Sequence, residues 1–368
     1  MKVLHVISDK NIGGAGVLLC TLLRNFDTLR VQSVVALPEG SDLKPRIEAY
    51  GVETVSLQAP CDRISTASIR ELSSVIKRVN ADIVHANAAL CARIAGKHCG
   101  VTVLHTRHCC FPPSGIWRVS AIRALGGIWN RALSDRVIAT ADAAAQNLRA
   151  FGIPDEKIEV IINGSEPVRE VGEEELFAFR RKWGIAENDF TVGICARLVA
   201  CKGHETFLRA AKRMTETMPQ VNFRFLIAGE GDRRDVLEEL TDTLGIRESV
   251  RFLGFLSDTA PFYRSLRVHV NCSCGTETSC LALSESMSAG VPTVVSDYGG
   301  NADMIGDGQA GILYPVGDFE ALAEAVCRIA SDPSLEMTMR SAAHRRYREH
   351  YTAQQMTEQL TRVYEALI

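Results

Sequence analysis

Residues 277–295 read Glu277-Thr278-Ser279-Cys280-Leu281-Ala282-Leu283-Ser284-Glu285-Ser286-Met287-Ser288-Ala289-Gly290-Val291-Pro292-Thr293-Val294-Val295. Leu281, Leu283 and Met287 make a short buried helix, Gly290 closes it, and an apolar strand follows at once. A helix feeding directly into an apolar strand is the signature of a parallel sheet covered on both faces. Two glutamates, Glu277 and Glu285, stand eight residues apart in this stretch. Such a pair can accept hydrogen bonds from sugar hydroxyls. The plainer reading, one exposed and one helix-surface carboxylate, is weakened because an idle carboxylate on a buried helix is costly.

The same alternation runs outward in both directions. Strands are predicted at Val3–Ile7, Val31–Ala36, Glu53–Leu57, Ile83–His85, Val101–His105, Val137–Ala139 and Ile158–Ile162. Helices are predicted between them at Val17–Asn25, Leu43–Tyr50, Ser65–Val79, Ala88–His98, Val119–Leu133 and Ala143–Phe151. Pro167 and Gly172 then mark a break. A second series follows a helix at Glu174–Trp183, with strands at Thr191–Cys195, Asn222–Ala228, Val250–Phe252, Val268–Asn271, Thr293–Ser296 and Gly311–Leu313. Its helices lie near Glu205–Thr217, Arg233–Leu244, Ala260–Arg264, Leu281–Ser288 and Phe319–Ser331. Residues Met337–Ile368 read as helical and charged.

A length of 368 residues exceeds what one core usually supports. The expected architecture is α/β: two Rossmann-like, doubly wound parallel-sheet domains facing across a cleft, residues 1–168 plus 349–368 and residues 169–348. The apolar stripe Tyr351, Met356, Leu360, Val363, Tyr364 and Leu367 is expected to carry the last helix back to the first domain. Open parallel sheets bind ligands at the carboxyl ends of their strands.

The composition is that of an ordinary globular protein, 46% hydrophobic and 23% charged. A formal net charge of −3 argues against nucleic acid as a partner. The twelve cysteines are scattered rather than framework-spaced. The opening Met1-Lys2-Val3-Leu4-His5-Val6-Ile7 reads as a strand rather than a signal peptide, and no apolar run is long enough to span a bilayer. These features predict a reducing, cytoplasmic setting, with peripheral contact at the inner membrane face left open.

Three further motifs lie after strands. Gly13-Gly14-Ala15-Gly16 lacks the spacing of a dinucleotide fingerprint, and taken alone it reads as a tight turn before a helix. Arg197-Leu198-Val199-Ala200-Cys201-Lys202-Gly203 places two cations at a strand mouth, where they can neutralise a diphosphate. Ser296-Asp297-Tyr298-Gly299-Gly300-Asn301-Ala302-Asp303 is a glycine loop before another helix.

In this order the motifs resemble those of retaining glycosyltransferase family 4, with the GT-B fold. The matching residues are Gly13-Gly14, Arg197 with Lys202-Gly203, Glu277 with Glu285, and Gly299-Gly300 with Asp303. Lesser matches are Asp82–Asn87, Thr106-Arg107-His108, Asn163-Gly164, Ala228–Gly231 and Phe252–Phe255. The chain departs from the pattern at Cys280, where glycine is frequent, at Asp303, where glutamate is, and in Cys272-Ser273-Cys274, which lacks a common proline.

The resemblance implies a retaining transfer of a hexose-type sugar from a UDP- or GDP-sugar to a glycan, lipid-linked or small-molecule acceptor. Arg197, Lys202 and the backbone at Cys280 and Leu281 would meet the charge on the departing diphosphate, with Gly14 closing from the other domain. Glu285 would hold the ribose, Glu277 the donor sugar, His108 would lie near that sugar, and Leu256 would border the base. No cofactor and no metal is expected, since no Asp-x-Asp cluster is present. Oligomeric state is left open. The alternatives are a nucleotide-sugar epimerase of related fold and a non-catalytic nucleotide-sugar-binding protein.

Two stretches invite other readings. His105-Thr106-Arg107-His108-Cys109-Cys110 looks like a metal cluster, but strand neighbours point to opposite faces and no second ligand pair has zinc-site spacing. Ile116-Trp117-Arg118 to Ile128-Trp129-Asn130-Arg131 reads either as a membrane-surface stretch or as a packed helix with a solvated basic face.

Overall fold

A computed structural model describes residues 1–10, 12–61, 64–87, 89–108, 120–275, 277–306 and 308–368, with residues 120–125 described by backbone alone. Two compact units emerge: Met1–Ser165 with Ala353–Ile368, and Glu166–Thr352.

The first unit begins with β1 (Lys2–Ile7), α1 (Gly14–Asn25), β2 (Gln32–Pro38), α2 (Leu43–Glu48) and β3 (Glu53–Leu57). It continues with α3 (Thr66–Val79), β4 (Ile83–Asn87), α4 (Leu90–His98) and β5 (Thr102–Arg107). After α5 (Ser120–Ala132) come β6 (Arg136–Ala139), α6 (Asp142–Ala150) and β7 (Ile158–Val160). The seven strands are all parallel, in the order β3-β2-β1-β4-β5-β6-β7. Because the strands alternate faces, Leu4, Val6, Val34 and Val84 pack with Leu72, Val75 and Ile76 of α3. Ile7, Val35 and Leu37 pack the other way, on Leu19 and Leu23 of α1 and Ile47 of α2.

The second unit holds α7 (Glu173–Lys182), β8 (Phe190–Cys195), α8 (His204–Thr217), β9 (Phe223–Ala228), α9 (Arg234–Thr243), β10 (Val250–Gly254), α10 (Ala260–Ser265) and β11 (Val268–Asn271). It ends with α11 (Leu281–Ser288), β12 (Thr293–Ser296), α12 (Asn301–Ile305), β13 (Gly311–Tyr314), α13 (Phe319–Ser331) and α14 (Pro333–His350). Its parallel sheet runs β10-β9-β8-β11-β12-β13. Every predicted strand is present, because strands buried on both faces are written as unbroken apolar runs.

Helix boundaries depart from the sequence reading in several places. The first helix begins at Gly14 rather than Val17, with Gly13 as its N-cap, so the glycines form its first turn. Gly16 is there for packing: a Cβ would lie 2.7 Å from the Leu43 side chain. The helix predicted from Ala88 starts at Leu90, and Ala88 and Val119 lie outside the described residues. The segment Met337–Ile368 is two helices. Asp332 caps α14 through the Ser334 and Leu335 N–H groups, and the chain breaks at Tyr351 before α15 (Ala353–Glu365).

The expected stripe divides at that break. Tyr351 belongs to the second unit, where its hydroxyl donates to the Met304 carbonyl at 3.0 Å. Helix α15 packs in the first unit, burying Met356, Leu360, Val363 and Tyr364. Arg30 adds ion pairs to Glu358 and Glu365, at 2.8 and 2.9 Å. Tyr364 is fully buried, and its hydroxyl lies 2.6 Å from His85 Nδ1, while His85 Nε2 lies 2.6 Å from Thr106 Oγ1. Burial keeps His85 well below the ordinary histidine range, so the ring is neutral and uses one nitrogen as donor and one as acceptor. Tyr364→Phe keeps the ring but leaves that nitrogen unpaired, and we expect a loss of about 1–3 kcal/mol in urea unfolding. A midpoint equal to the parent's contradicts this role for the hydroxyl.

Candidate functional site

In the second unit the chain passes from β8 outward to β9 and β10, then returns to add β11 on the other side of β8. Connections leaving neighbouring strands in opposite directions open a crevice at their carboxyl ends. The loops that leave there are Ala196–Gly203 after β8 and Cys272–Cys280 after β11, with Thr276 outside the described residues. They carry Arg197, Lys202, Glu277 and Cys280.

Lys202 Nζ donates to Glu277 Oε2 at 2.6 Å. The Lys202 side chain is 19% exposed and that of Glu277 8%. Ser273 Oγ donates to the same carboxylate oxygen at 2.7 Å. Asn271, the last residue of β11, also bonds Glu277, and its Oδ1 accepts the Ser273 N–H at 2.9 Å. Burial works to raise the pKa of Glu277, but the Lys202 charge and these hydrogen bonds outweigh it and hold the carboxyl low. Burial likewise opposes the Lys202 charge, and Glu277 outweighs that and raises its pKa. The pair is therefore fully ionised at neutral pH.

Two glycines allow this arrangement. Gly203 has φ +68° and a Cβ there would stand 2.1 Å from the Cys272 carbonyl oxygen. Gly299 has φ +62° and a Cβ there would stand 2.3 Å from the Glu277 carbonyl oxygen. The backbones of three loops thus touch where only glycine fits. Arg197, by contrast, is exposed, and its guanidinium has no hydrogen-bond or ion-pair partner among the described residues.

Glu285 sits one helix turn inside α11 and accepts the Tyr263 hydroxyl at 2.9 Å. Burial pushes its carboxyl up to about 7, against the lowering effect of that hydrogen bond. Leu256 is half-buried in the same apolar cluster as Tyr263, with Leu253 and Phe262. Cys280 is the N-cap of α11 and makes no capping bond. Burial raises its thiol to about 12, so it is neutral. Leu281 opens the helix, whose first turn holds no acidic residue, leaving the positive end of the dipole uncompensated.

In the first unit, Gly14 opens α1 after β1, and nothing among the described residues lies within 4 Å of where its Cβ would stand. His108 follows β5, and its Nε2 lies 3.1 Å from Oδ1 of Asn87, the last residue of β4. Burial lowers His108 to about 4, so its ring is neutral at physiological pH.

The structure brings Lys202 onto Glu277, and Leu256 into the apolar cluster of Tyr263, whose hydroxyl donates to Glu285. It gives Arg197 no such contact. Asn271, Ser273, Tyr263 and Asn87 were missed from sequence. The available signal was a polar residue ending an apolar strand, which both Asn87 and Asn271 supply. No group of three or more His, Cys, Asp or Glu side chains among the described residues is arranged to hold a metal. Cys109, Cys110 and Ile116-Trp117-Arg118 lie outside those residues, whereas Ile128 and Trp129 of α5 are exposed. Among the described residues no helix is long and apolar enough to cross a membrane.

The family described as Glycosyltransferase Family 4 matches residues 12–169, and Glycosyl transferases group 1 matches residues 177–346. The chain is 30% identical over 292 residues to the putative glycosyltransferase EpsD of Bacillus subtilis, a match spanning 76% of this chain and 75% of that protein. It is 34% identical over 221 residues to an uncharacterized glycosyltransferase of Methanocaldococcus jannaschii, spanning 58% of this chain and only 55% of that relative. Among solved structures, Anabaena HepE in complex with UDP superposes with a TM-score of 0.86 at 21% identity, covering 100% of both chains. WaaG, a glycosyltransferase involved in lipopolysaccharide biosynthesis, superposes with a TM-score of 0.72 at 14% identity, over 98% of this chain and 99% of that one. These likenesses establish the GT-B fold.

The environment of Glu285 has a consequence for stability. Its folded pKa of about 7 lies above the ordinary 4.5, so the folded state holds the proton longer than the unfolded state does. The parent therefore loses stability as pH rises from 4.5 to 7 through this group. Glu285→Gln keeps an acceptor for Tyr263 and removes the titration. We expect the stability of the variant relative to the parent to rise across that window. A difference that stays flat from pH 4.5 to 7 in urea unfolding overturns the buried-carboxyl assignment.

Proposed function

From the premise that this chain belongs to glycosyltransferase family 4, of the group 1 type, we propose that it moves a hexose-type sugar from a UDP- or GDP-sugar to a glycan, lipid-linked or small-molecule acceptor, with retention of configuration and without a metal. The observation that carries this reading is the ionised Lys202–Glu277 pair at the carboxyl ends of β8 and β11. It supplies a cation for phosphate oxygens and a carboxylate for sugar hydroxyls side by side. HepE has been solved with UDP-glucose, which favours a UDP-sugar as the first donor to test.

The difficult step is cleavage of the bond between the anomeric carbon and the diphosphate. Positive charge spreads over the sugar ring while negative charge collects on the leaving oxygens. Lys202, Arg197 and the uncapped start of α11 at Cys280 and Leu281 meet that negative charge from positions fixed before the reaction. Glu277, held ionised, accepts from the donor sugar and keeps the Lys202 ammonium in place. Glu285 takes the ribose hydroxyls, with Leu256 beside the base. For Gly14 on the phosphate side and His108 on the sugar side, the support is the family pattern.

A nucleotide-sugar epimerase would turn over the donor with no acceptor present, and a non-catalytic binder would not turn it over at all. Lys202→Ala separates binding from catalysis. An interaction that strengthens as charge develops lowers kcat more than donor affinity. We expect kcat to fall on the order of 10²-fold, the scale of one lost oxyanion donor, with a smaller loss in donor affinity. Equal kcat in variant and parent removes this loop from the mechanism. Donor turnover is also expected to survive EDTA. Loss that magnesium or manganese restores would show a metal requirement.

A further inference from the structure

Four cysteines surround the Lys202–Glu277 pair in sequence: Cys201, Cys272, Cys274 and Cys280. Two of them, Cys201 and Cys274, lie on facing loops whose backbones are hydrogen-bonded. The Cys274 N–H donates to the Cys201 carbonyl at 2.9 Å. With standard backbone lengths, that bond keeps the two Cα atoms within about 6.8 Å, inside the span a disulfide bridges. The side chains are turned toward the opposite loop. A Cβ on Gly275 would lie 3.2 Å from the Cys201 Cβ, and Cys274 Sγ lies 3.6 Å from the Ala200 carbonyl oxygen. Both residues are thiols, with Cys274 exposed and Cys201 half-buried.

We propose that Cys201 and Cys274 are a reversible thiol–disulfide pair that locks the loop of Lys202 to the loop of Glu277. The regulatory half of this proposal rests on the donor-binding reading of those loops; the chemistry of the pair does not. The oxidant is a small-molecule disulfide. The Cys274 thiolate attacks one of its sulfurs, forming a mixed disulfide and releasing one small thiol. The Cys201 thiolate then attacks the Cys274 sulfur and releases the second. Two protein thiols and one small disulfide become one protein disulfide and two small thiols, with two electrons passed to the oxidant. Burial and the neighbouring Cys201 raise the Cys274 thiol above its ordinary value, against the pull of Lys202. Exchange is therefore slow near neutral pH and faster in mild alkali.

The consequence follows from position. Lys202 is the residue after Cys201, and Glu277 lies three residues past Cys274. A covalent tie between the loops holds the ammonium on its carboxylate when a donor diphosphate needs it.

The test uses the full chain, reduced with dithiothreitol, freed of it and exposed to oxidised glutathione at mildly alkaline pH. Non-reducing peptide mapping is expected to show the Cys201 and Cys274 peptides joined, two hydrogens lighter than the free pair. Turnover of a nucleotide sugar is expected to fall about tenfold to 10²-fold, the scale of a misplaced catalytic group, and to return with dithiothreitol. Cys274→Ser and Cys201→Ser are expected to keep their turnover under oxidant. Failure of the joined peptide to form overturns the pair, as does glutathione left on Cys274. A joined peptide with unchanged turnover overturns the lock. Reduced protein that turns over no nucleotide sugar counts against the glycosyl-transfer reading, and the peptide map still decides the disulfide.

Discussion

A carboxylate that is 8% exposed, held ionised beside a lysine 2.6 Å away, organises the second unit. Removing one partner of such a pair leaves an uncompensated charge, which costs about 3–5 kcal/mol in buried settings. The surroundings are built to avoid that. Asn271 and Ser273, at the carboxyl end of β11, add hydrogen bonds to the carboxylate. Gly203 and Gly299 let the flanking backbones close on Cys272 and Glu277. Three loops from separate strands are thus tied to one ion pair, and the parallel order of the sheet brings them together.

The two glutamates eight residues apart have opposite electrostatic fates. Glu277 is buried beside a cation and several donors, and stays charged. Glu285 is buried beside one phenol in an apolar cluster, and is raised to about 7. Paired carboxyl groups whose environments drive their pKa values apart are suited to different roles. A permanently charged Glu277 suits a group that must steady a cation through a reaction. A Glu285 whose carboxyl is raised toward neutrality by burial can accept from a hydroxyl or, when protonated, donate to one. Tyr263, whose hydroxyl donates to that carboxylate, is fully buried, so the helix must carry the carboxyl against the α10 side of the core.

Much of this was legible in the sequence. Parallel strands announce themselves as apolar runs, and the two-unit organisation follows from their count and from the break at Pro167 and Gly172. The parts that were not legible have a common cause. Helix starts and breaks depend on capping and on contacts distant in sequence. Gly14–Gly16 reads as a loop until Leu43 is seen against Gly16, and the interruption at Tyr351 is set by carbonyl acceptors in α12. The residues that support the site were hidden for a similar reason. Asn271 looks like the polar end of a strand, Ser273 like a turn residue and Tyr263 like core, until Glu277 and Glu285 are placed beside them.

Arg197 and Lys202 are five residues apart in one loop, yet the fold treats them differently. The Arg197 guanidinium is exposed and without a partner among the described residues, so an arriving anion meets it with little to displace. Lys202 is already engaged, and an anion that recruits it must compete with Glu277. On the proposed donor-binding reading, a diphosphate brings two charged groups, one for each cation, where a single phosphate offers one. The sugar supplies what Glu277 then lacks, since its hydroxyls can donate to a carboxylate that has shared its ammonium. On that proposed reading, the ion pair would favour a ligand that carries a diphosphate and a polyhydroxyl group together, which is the chemistry of a nucleotide sugar rather than of a nucleotide alone.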